Sequence, residues 1–155
     1  MSTPRFIGPE EGEYLNIVGD RVRILVSGAE TGGTCTIFET ITAPGGGPPL
    51  HRHANEDETF RVVEGRAKFV ANGETFIAEP GAFVYAPRGC THTFVSLGPG
   101  PLRMVLSVTP SGLEVPFREN AALFIKDPNT PIERLIEVFG RAGVEFVGPP
   151  LDPNA

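Results

Sequence analysis

The sequence predicts a mainly β fold, a sandwich or barrel of short strands followed by short C-terminal helices. Between about residues 21 and 110, short runs rich in β-branched and aromatic residues alternate with turn residues at close, regular spacing. The 19 glycines and 16 prolines are spread between these runs and form no low-complexity stretch. From about residue 114 to 147 the apolar residues recur with a helical period instead. The 155-residue length predicts one domain containing both parts.

One hairpin in the β part is marked by its turn. Asn72 and Gly73 separate two predicted strands, and both residues tolerate the positive φ that a two-residue hairpin turn needs. The predicted strands cover residues 21–27, 34–42, 59–63, 66–70, 74–78, 83–86, 93–97 and 102–108. We expect the first twenty and the last five residues to be loosely held.

The C-terminal part predicts one distinct helix. Pro131 suits the first helical position, where its missing N–H costs nothing, and Thr130 precedes it as a candidate N-cap. The apolar residues that follow share one helix face: Ile132, Leu135, Ile136 and Phe139. We expect Gly140 or Gly143 to end this helix. A shorter helical turn is predicted near residues 117–124, and both pieces should pack across the outside or mouth of the barrel.

The composition argues against several classes of partner. The net charge is −6 and only two residues are lysines, so the clustered positive charge that nucleic acid requires is missing. No apolar stretch resembles a secretion signal or a membrane span, which leads us to expect a cytoplasmic protein. Cys35 and Cys90 are too few for a disulfide scaffold. Cys90 could be a thiolate ligand or a nucleophile, but a small loop residue is the favoured interpretation.

All three histidines lie in two short segments, and their spacing predicts a metal site. His51 and His53 are two residues apart, so on a strand they share one face. Glu58 follows after four residues, enough for a bend, and His92 opens a second row of inward-facing residues. Imidazole is the commonest metal ligand in proteins. We therefore predict that these four side chains bind one divalent metal ion.

Such a donor set leaves coordination positions of the metal free for a reaction. Three imidazoles and one carboxylate fill four positions of an octahedron, and two positions stay open for water, substrate or dioxygen. Fe(II), nickel, manganese, cobalt and zinc all suit these ligands. Glu58 is also the predicted catalytic residue, as a base for a substrate hydroxyl, and its role as ligand, base or both stays open.

These segments reproduce the two sequence motifs of the cupin superfamily. The first is carried by Gly45, His51, His53, Glu58 and Gly65, and the second by Gly81, Pro87, Gly89 and His92. The second motif normally ends in Asn, where this chain has Ser96, which puts strand-edge hydrogen bonding in doubt but not metal binding. The resemblance covers residues 34–110. It implies a double-stranded β-helix, or jelly-roll barrel.

The whole chain also resembles small single-domain cupins described as quercetin dioxygenase-like. The likeness lies in HRHANEDETFRVVEGRAKF, APRGCTHTF, the TPSGLE turn and the final GVEFVGPP. It implies a homodimeric, metal-dependent dioxygenase acting on a small oxygenated molecule, an enol or phenol of the flavonol kind. A non-oxidative lyase or isomerase, and a metal-dependent binding protein without turnover, remain as alternatives.

A substrate pocket beside the metal is expected to include Phe60, Val62, Phe94 and Tyr85. Phe60 and Phe94 are favoured, because their strand positions match the parity of the metal ligands.

Four charged residues near the motifs have two interpretations each. Glu56 and Asp57 could be auxiliary acids, but a solvated turn is favoured. Arg52 and Arg88 could bind a substrate carboxylate, but a surface position is at least as well supported.

Overall fold

The computed structural model describes residues 3–17 and 19–155, and strands are its main regular structure. In chain order the strands are β1 Glu13–Ile17, β2 Asp20–Val26, β3 Thr36–Thr42, β4 Pro49–His53, β5 Asp57–Glu64, β6 Ala67–Ala71, β7 Glu74–Ala78, β8 Phe83–Ala86, β9 His92–Ser96, β10 Leu102–Thr109 and β11 Val144–Pro150. Helices α1 Glu114–Lys126 and α2 Ile132–Arg141 lie between β10 and β11.

The strands form two antiparallel sheets that enclose the core. One sheet has the order β1-β2-β3-β10-β5-β8, and the other has the order β11-β4-β9-β6-β7. Inward-facing side chains alternate with outward-facing ones, as on β10, where Leu102, Met104, Leu106 and Val108 are buried. Phe38, Phe60 and Phe69 are among the largest fully buried side chains. The predicted mainly β fold, with two short C-terminal helices, is confirmed.

All eight predicted strands are present, with ends within two residues of those predicted. The β6–β7 hairpin turns at Asn72 and Gly73, whose φ angles are +47° and +84°. These angles are the positive values that the sequence pair predicts for such a turn.

The expectation that the first twenty residues are loosely held is wrong for β1. This strand pairs antiparallel with β2 and forms one edge of its sheet. The guanidinium carbon of Arg21 lies 4.0 Å from the centre of the Tyr14 ring, a cation–π contact between the two strands. An edge strand with mixed polarity has a weak local pattern, so its pairing depends on the tertiary structure.

Strand β11 is a second element that the sequence pattern did not predict. It pairs with β4, so that Val144 lies opposite His53 and Phe146 opposite His51. The predicted helical segment of about residues 114–147 therefore ends in a strand, which covers the β4 edge of its sheet.

Both predicted helices are present, but Thr130 does not cap the second one. Pro131 precedes the first helical residue of α2, and no side chain caps this end. The Thr130 hydroxyl instead donates to the carbonyl of Asp127, 2.6 Å away, at the end of α1. Neither helix is long and apolar enough to cross a membrane; this holds for the residues that the model describes.

With Ser96 in place of the usual Asn, the backbone hydrogen bonds at this strand edge are present, but the side-chain oxygen of Ser96 is buried without a hydrogen-bond partner. The Ser96 amide donates to the Gly46 carbonyl, and the Gly45 amide donates to the Ser96 carbonyl, both at 2.8 Å. The neighbouring Gly47 permits this close packing, because a Cβ atom there would lie 2.0 Å from the carbonyl oxygen of Phe94.

Candidate metal centre

The four predicted ligand side chains meet between the two sheets. His51 and His53 come from β4, His92 from β9 and Glu58 from β5 of the facing sheet. One donor atom from each lies within 4.8 Å of the others, and all four residues are buried. The structure thus brings together every side chain that the spacing of the two motifs selected.

Strand register explains this convergence. His51 pairs with His92 across β4 and β9, and their ring centroids are 4.4 Å apart. His53, two residues along β4, points to the same inner face. Glu58 begins the inward row of β5, with Phe60 next to it.

Two of the imidazole rings are oriented by backbone carbonyls. The Nδ1 atom of His51 lies 2.8 Å from the carbonyl oxygen of Pro49, and that of His92 lies 3.0 Å from the carbonyl oxygen of Cys90. A hydrogen on Nδ1 serves both contacts and leaves each Nε2 with a free lone pair. Metal-binding histidines usually have such an acceptor behind them, which fixes the tautomer and the ring.

The third ring is oriented by Glu56, so the favoured interpretation of Glu56 as part of a solvated turn is wrong. Glu56 is only 4% exposed, and its Oε2 lies 3.2 Å from Nδ1 of His53. The next acid, Asp57, is the one in contact with solvent, where it accepts hydrogen bonds from the backbone N–H and the guanidinium of Arg88. The bend after β4 turns one acid of this run inward and the next outward.

The site mixes neutral and charged groups. Burial, and then the proximity of His92, lower the pKa of His51 to about 3, which keeps this imidazole neutral. Burial also acts against charge on His53, but contacts with Glu56 and Glu58 outweigh it and raise its pKa to about 9. Burial alone would raise the pKa of Glu58, but His53 and His92 outweigh it and hold that pKa well below its usual range.

These residues fit a divalent cation. Nε2 of His92 is 2.9 Å from Oε2 of Glu58, and Nε2 of His53 is 3.1 Å from the same oxygen. The contact of His53 Nε2 with Glu58 is not aligned as a hydrogen bond, so this buried nitrogen has no hydrogen-bond partner. Buried polar atoms rarely stay unpaired. Several imidazole nitrogens together with one carboxylate oxygen are a common set of donors for a transition-metal ion.

Three of the four residues, His51, His53 and Glu58, line a mostly apolar cavity of about 390 Å³. The structure places Phe60 and Phe94 in this wall. Val62 is buried in the core but does not line the cavity. Tyr85 does not line it either, which corrects the sequence-based expectation. It is 57% exposed, because its position on β8 opposite Thr59 turns it to the outer face.

Helix α2 borders the same cavity. Its predicted apolar stripe, Ile132, Leu135, Ile136 and Phe139, lines the wall. Leu135 is buried, whereas Ile132 and Ile136 remain partly exposed to solvent. A helix with its apolar face half covered in this way lies at the cavity mouth. The expectation that the C-terminal helices pack at the outside or mouth of the barrel agrees with this position.

The remaining candidates lie away from the cavity. Arg52 pairs with Glu145 at 2.7 Å on the surface, and Arg88 pairs with Asp57. Neither arginine lines the cavity. Cys90 is buried in the loop before β9, where burial raises the pKa of its thiol. A thiol held in its neutral form agrees with the favoured interpretation as a small loop residue.

Sequence comparison supports the same family as the motifs. Residues 38–109 match the family model of the cupin domain. Polyketide synthase CurC of Streptomyces cyaneus is 30% identical over 108 residues, which cover 69% of this chain and 70% of that protein. An uncharacterized protein of Methanocaldococcus jannaschii is 27% identical over 70 residues. That alignment covers 45% of this chain and only 56% of that protein.

Solved structures show the same fold. KdgF from Halomonas sp. superposes with a TM-score of 0.65 at 21% identity, covering 72% of this chain and 98% of that one. The polyketide cyclase RemF from Streptomyces resistomycificus superposes with a TM-score of 0.61 at 20% identity, covering 70% and 81%. The motifs, the two-sheet barrel and these similarities together show that the chain belongs to the cupin family.

Proposed function

We propose that this protein is a metal-dependent enzyme that acts on the enol or phenol oxygen of a small, mostly apolar organic molecule. One observation carries the proposal: four buried donor atoms lie within 4.8 Å of one another, and three of the four residues, His51, His53 and Glu58, line a mostly apolar cavity of about 390 Å³. Apolar pockets with a few convergent polar groups are typical of small-molecule sites.

His51, His53, His92 and Glu58 would hold one divalent ion, with Fe(II), nickel, manganese, cobalt and zinc as candidates. When bound, such an ion stabilises negative charge on a substrate oxygen and thereby favours the enolate or phenolate form.

The chain's own residues would orient the substrate and move its proton. Phe60 and Phe94 offer aromatic faces against which a flat ring can pack, and the apolar wall excludes water. Glu58 would lie beside the same oxygen and would accept the hydroxyl proton. Glu56 would keep the His53 ring in place while this happens.

Oxidative cleavage of a flavonol-type substrate is the first candidate reaction. It is supported by the likeness to quercetin dioxygenase-like cupins and by the two coordination positions that four ligands leave open. Both atoms of dioxygen would end in the product. With flavonols, we expect one dioxygen consumed per substrate, measured with an oxygen electrode on protein reconstituted with each metal in turn. Product formed at an undiminished rate without dioxygen would exclude this reaction.

A non-oxidative cyclisation is the second candidate, because CurC, which is 30% identical, is named a polyketide synthase. In this reaction an enolate carbon of a polyketone attacks a carbonyl of the same molecule, and water leaves. No oxidant is needed, and zinc should support the reaction as well as iron does. Cyclised product formed from a polyketone under nitrogen would establish it. Saturable binding without turnover, under either atmosphere and with any metal, would contradict both reactions.

A further inference from the structure

The cavity has a second polar region apart from the metal centre. Among the described residues that line it, the polar side chains outside the metal centre are Asp20 of β2 and Thr40 of β3. The remaining wall is made of apolar side chains, prolines and one glycine. Two polar groups in such a wall need an explanation, because burying a polar group without a partner is costly.

Strand register places this region far from Glu58. Asp20 lies opposite Thr42, which pairs with Leu102 at the start of β10. Glu58 pairs with Val108, near the end of β10. The two carboxylates therefore stand at opposite ends of the same sheet, with the apolar part of the cavity between them.

The hydroxyl group of Thr40 has no partner within the protein. The residue is 6% exposed, and its Oγ1 is buried without a hydrogen bond, although it belongs to the cavity wall. An orphaned buried hydroxyl costs folding free energy. The hydroxyls of Thr42 and Ser96 are also buried without partners, but of these three residues only Thr40 lines the cavity, where a bound molecule can supply the partner.

Asp20 is the second half of this region. Burial raises the pKa of its carboxyl to about 6, because the charged form loses contact with water. The side chain of Thr42, which lies opposite Asp20 on β3, lowers this pKa by a smaller amount. The carboxylate still accepts hydrogen bonds at neutral pH, and the Thr40 hydroxyl can both donate and accept.

We propose that Asp20 and Thr40 bind a hydroxyl group at the end of the substrate remote from the metal. This inference rests on the proposed function, because it takes the cavity as the substrate site. A hydroxyl has one donor and can accept, which matches one carboxylate oxygen and one threonine hydroxyl. An ammonium has three donors and no acceptor, and the apolar wall offers no third partner. The substrate class is therefore an elongated molecule with an enol or phenol at one end, an apolar body and a free hydroxyl at the other.

The test compares two probes on zinc-loaded protein under nitrogen, with dissociation constants measured by calorimetry. Kaempferol carries hydroxyls on both of its outer rings, whereas the parent flavonol carries only its enol. Asp20→Leu should weaken kaempferol binding by about tenfold or more, and Thr40→Val by about fivefold. Both variants should leave the binding of the parent flavonol unchanged. Glu74→Gln, on the exposed β7, is the control for loss of one negative charge.

The outcomes separate the two proposals. Kaempferol binding that is unchanged in both variants overturns the second polar region and leaves the metal site intact. Equal weakening of both probes also overturns it, since the loss would then come from a general change of the cavity. Failure of either probe to bind the wild-type protein overturns the proposed substrate class, and the present inference with it. Melting curves of each variant establish that it is folded.

Discussion

The two polar regions of the cavity differ in whether other groups of the protein hold their side chains in place. At the metal centre, the Nδ1 atom of each imidazole has an acceptor behind it, supplied by Pro49, Glu56 or Cys90. At the other end, the Thr40 hydroxyl has no partner.

This difference indicates two ways of preparing a site. At the metal centre, hydrogen-bond acceptors behind the imidazole rings hold the metal-binding nitrogens in place before a metal binds. The entropy of ordering these side chains is therefore lost during folding and not during metal binding. Where a buried hydroxyl is left unpaired, the protein gives up some stability, and a bound molecule can recover it. Substitutions at the two ends should therefore have effects of different kind and size.

The largest effect is expected from removing a metal ligand. His92→Ala deletes one donor and takes away the group 2.9 Å from Oε2 of Glu58, so metal affinity should fall by at least about a hundredfold. Zinc titration calorimetry and elemental analysis after dialysis measure the loss. Cys90→Ser, two residues away, is the matched control and should keep full metal content. A His92→Ala protein with full metal content would show that this residue is not a ligand.

Removing a residue that orients a metal ligand should lower metal affinity by a smaller factor. Glu56→Gln keeps the shape of the side chain but removes the charge beside Nδ1 of His53, so metal affinity should fall by about 10- to 100-fold. Asp57→Asn changes the adjacent acid, which pairs with Arg88 on the surface, and should leave the affinity unchanged. Equal effects of the two substitutions in the same titration would contradict the role of Glu56.

Metal affinity should also depend on pH. The pKa of His53 is raised to about 9, so in the metal-free protein this ring carries a proton at neutral pH that a metal must displace. Affinity should therefore rise with pH by about tenfold per unit up to about pH 9 and level off above it. Calorimetry in buffers of different ionisation enthalpy should detect one proton released per metal bound. A flat affinity profile below this pH would argue against a protonated His53.

The smallest effect is expected from substitution of Thr40, and this substitution should stabilise the protein. Thr40→Val replaces the orphaned hydroxyl with a methyl group and should stabilise the ligand-free protein by about 1 kcal/mol, raising Tm by about 2–4 °C. Thr36→Val is the matched control on the same strand. The Thr36 hydroxyl donates to Glu114 and accepts from the Gly112 amide, so its loss should lower Tm instead. If both variants shifted Tm in the same direction, the proposed difference between an unpaired Thr40 hydroxyl and a paired Thr36 hydroxyl would be contradicted.

The metal ligands could be predicted from the sequence because strand geometry is regular. Two histidines separated by one residue share a strand face, and an acid after a short bend can begin the next inward row. That argument is local and covers His51, His53 and Glu58, whereas His92 lies far along the chain and was selected by the second motif. The neighbouring acids show its limit: Glu56 and Asp57 have similar local sequence signals, and only the contact of Glu56 with His53 distinguishes them.

Features that depend on how the sheets close could not be predicted in this way. Asp20 follows Gly19 and has the appearance of a turn residue, and its place in the cavity wall results from the packing of both sheets. For Tyr85 a usable signal existed. On β8, Val84 and Ala86 are buried while Phe83 and Tyr85 are exposed, so strand parity outweighs aromatic character there.

Strand β11 has a consequence for the strand that carries two of the metal ligands. Without β11, β4 would be the last strand of its sheet, with one row of backbone N–H and C=O groups open to water. With it, His51 and His53 belong to an interior strand paired on both sides. Edge strands fray and exchange their amide hydrogens with solvent more readily than interior strands do. The C-terminal segment thus protects the backbone beneath the metal ligands against local opening, although it contributes none of those ligands itself.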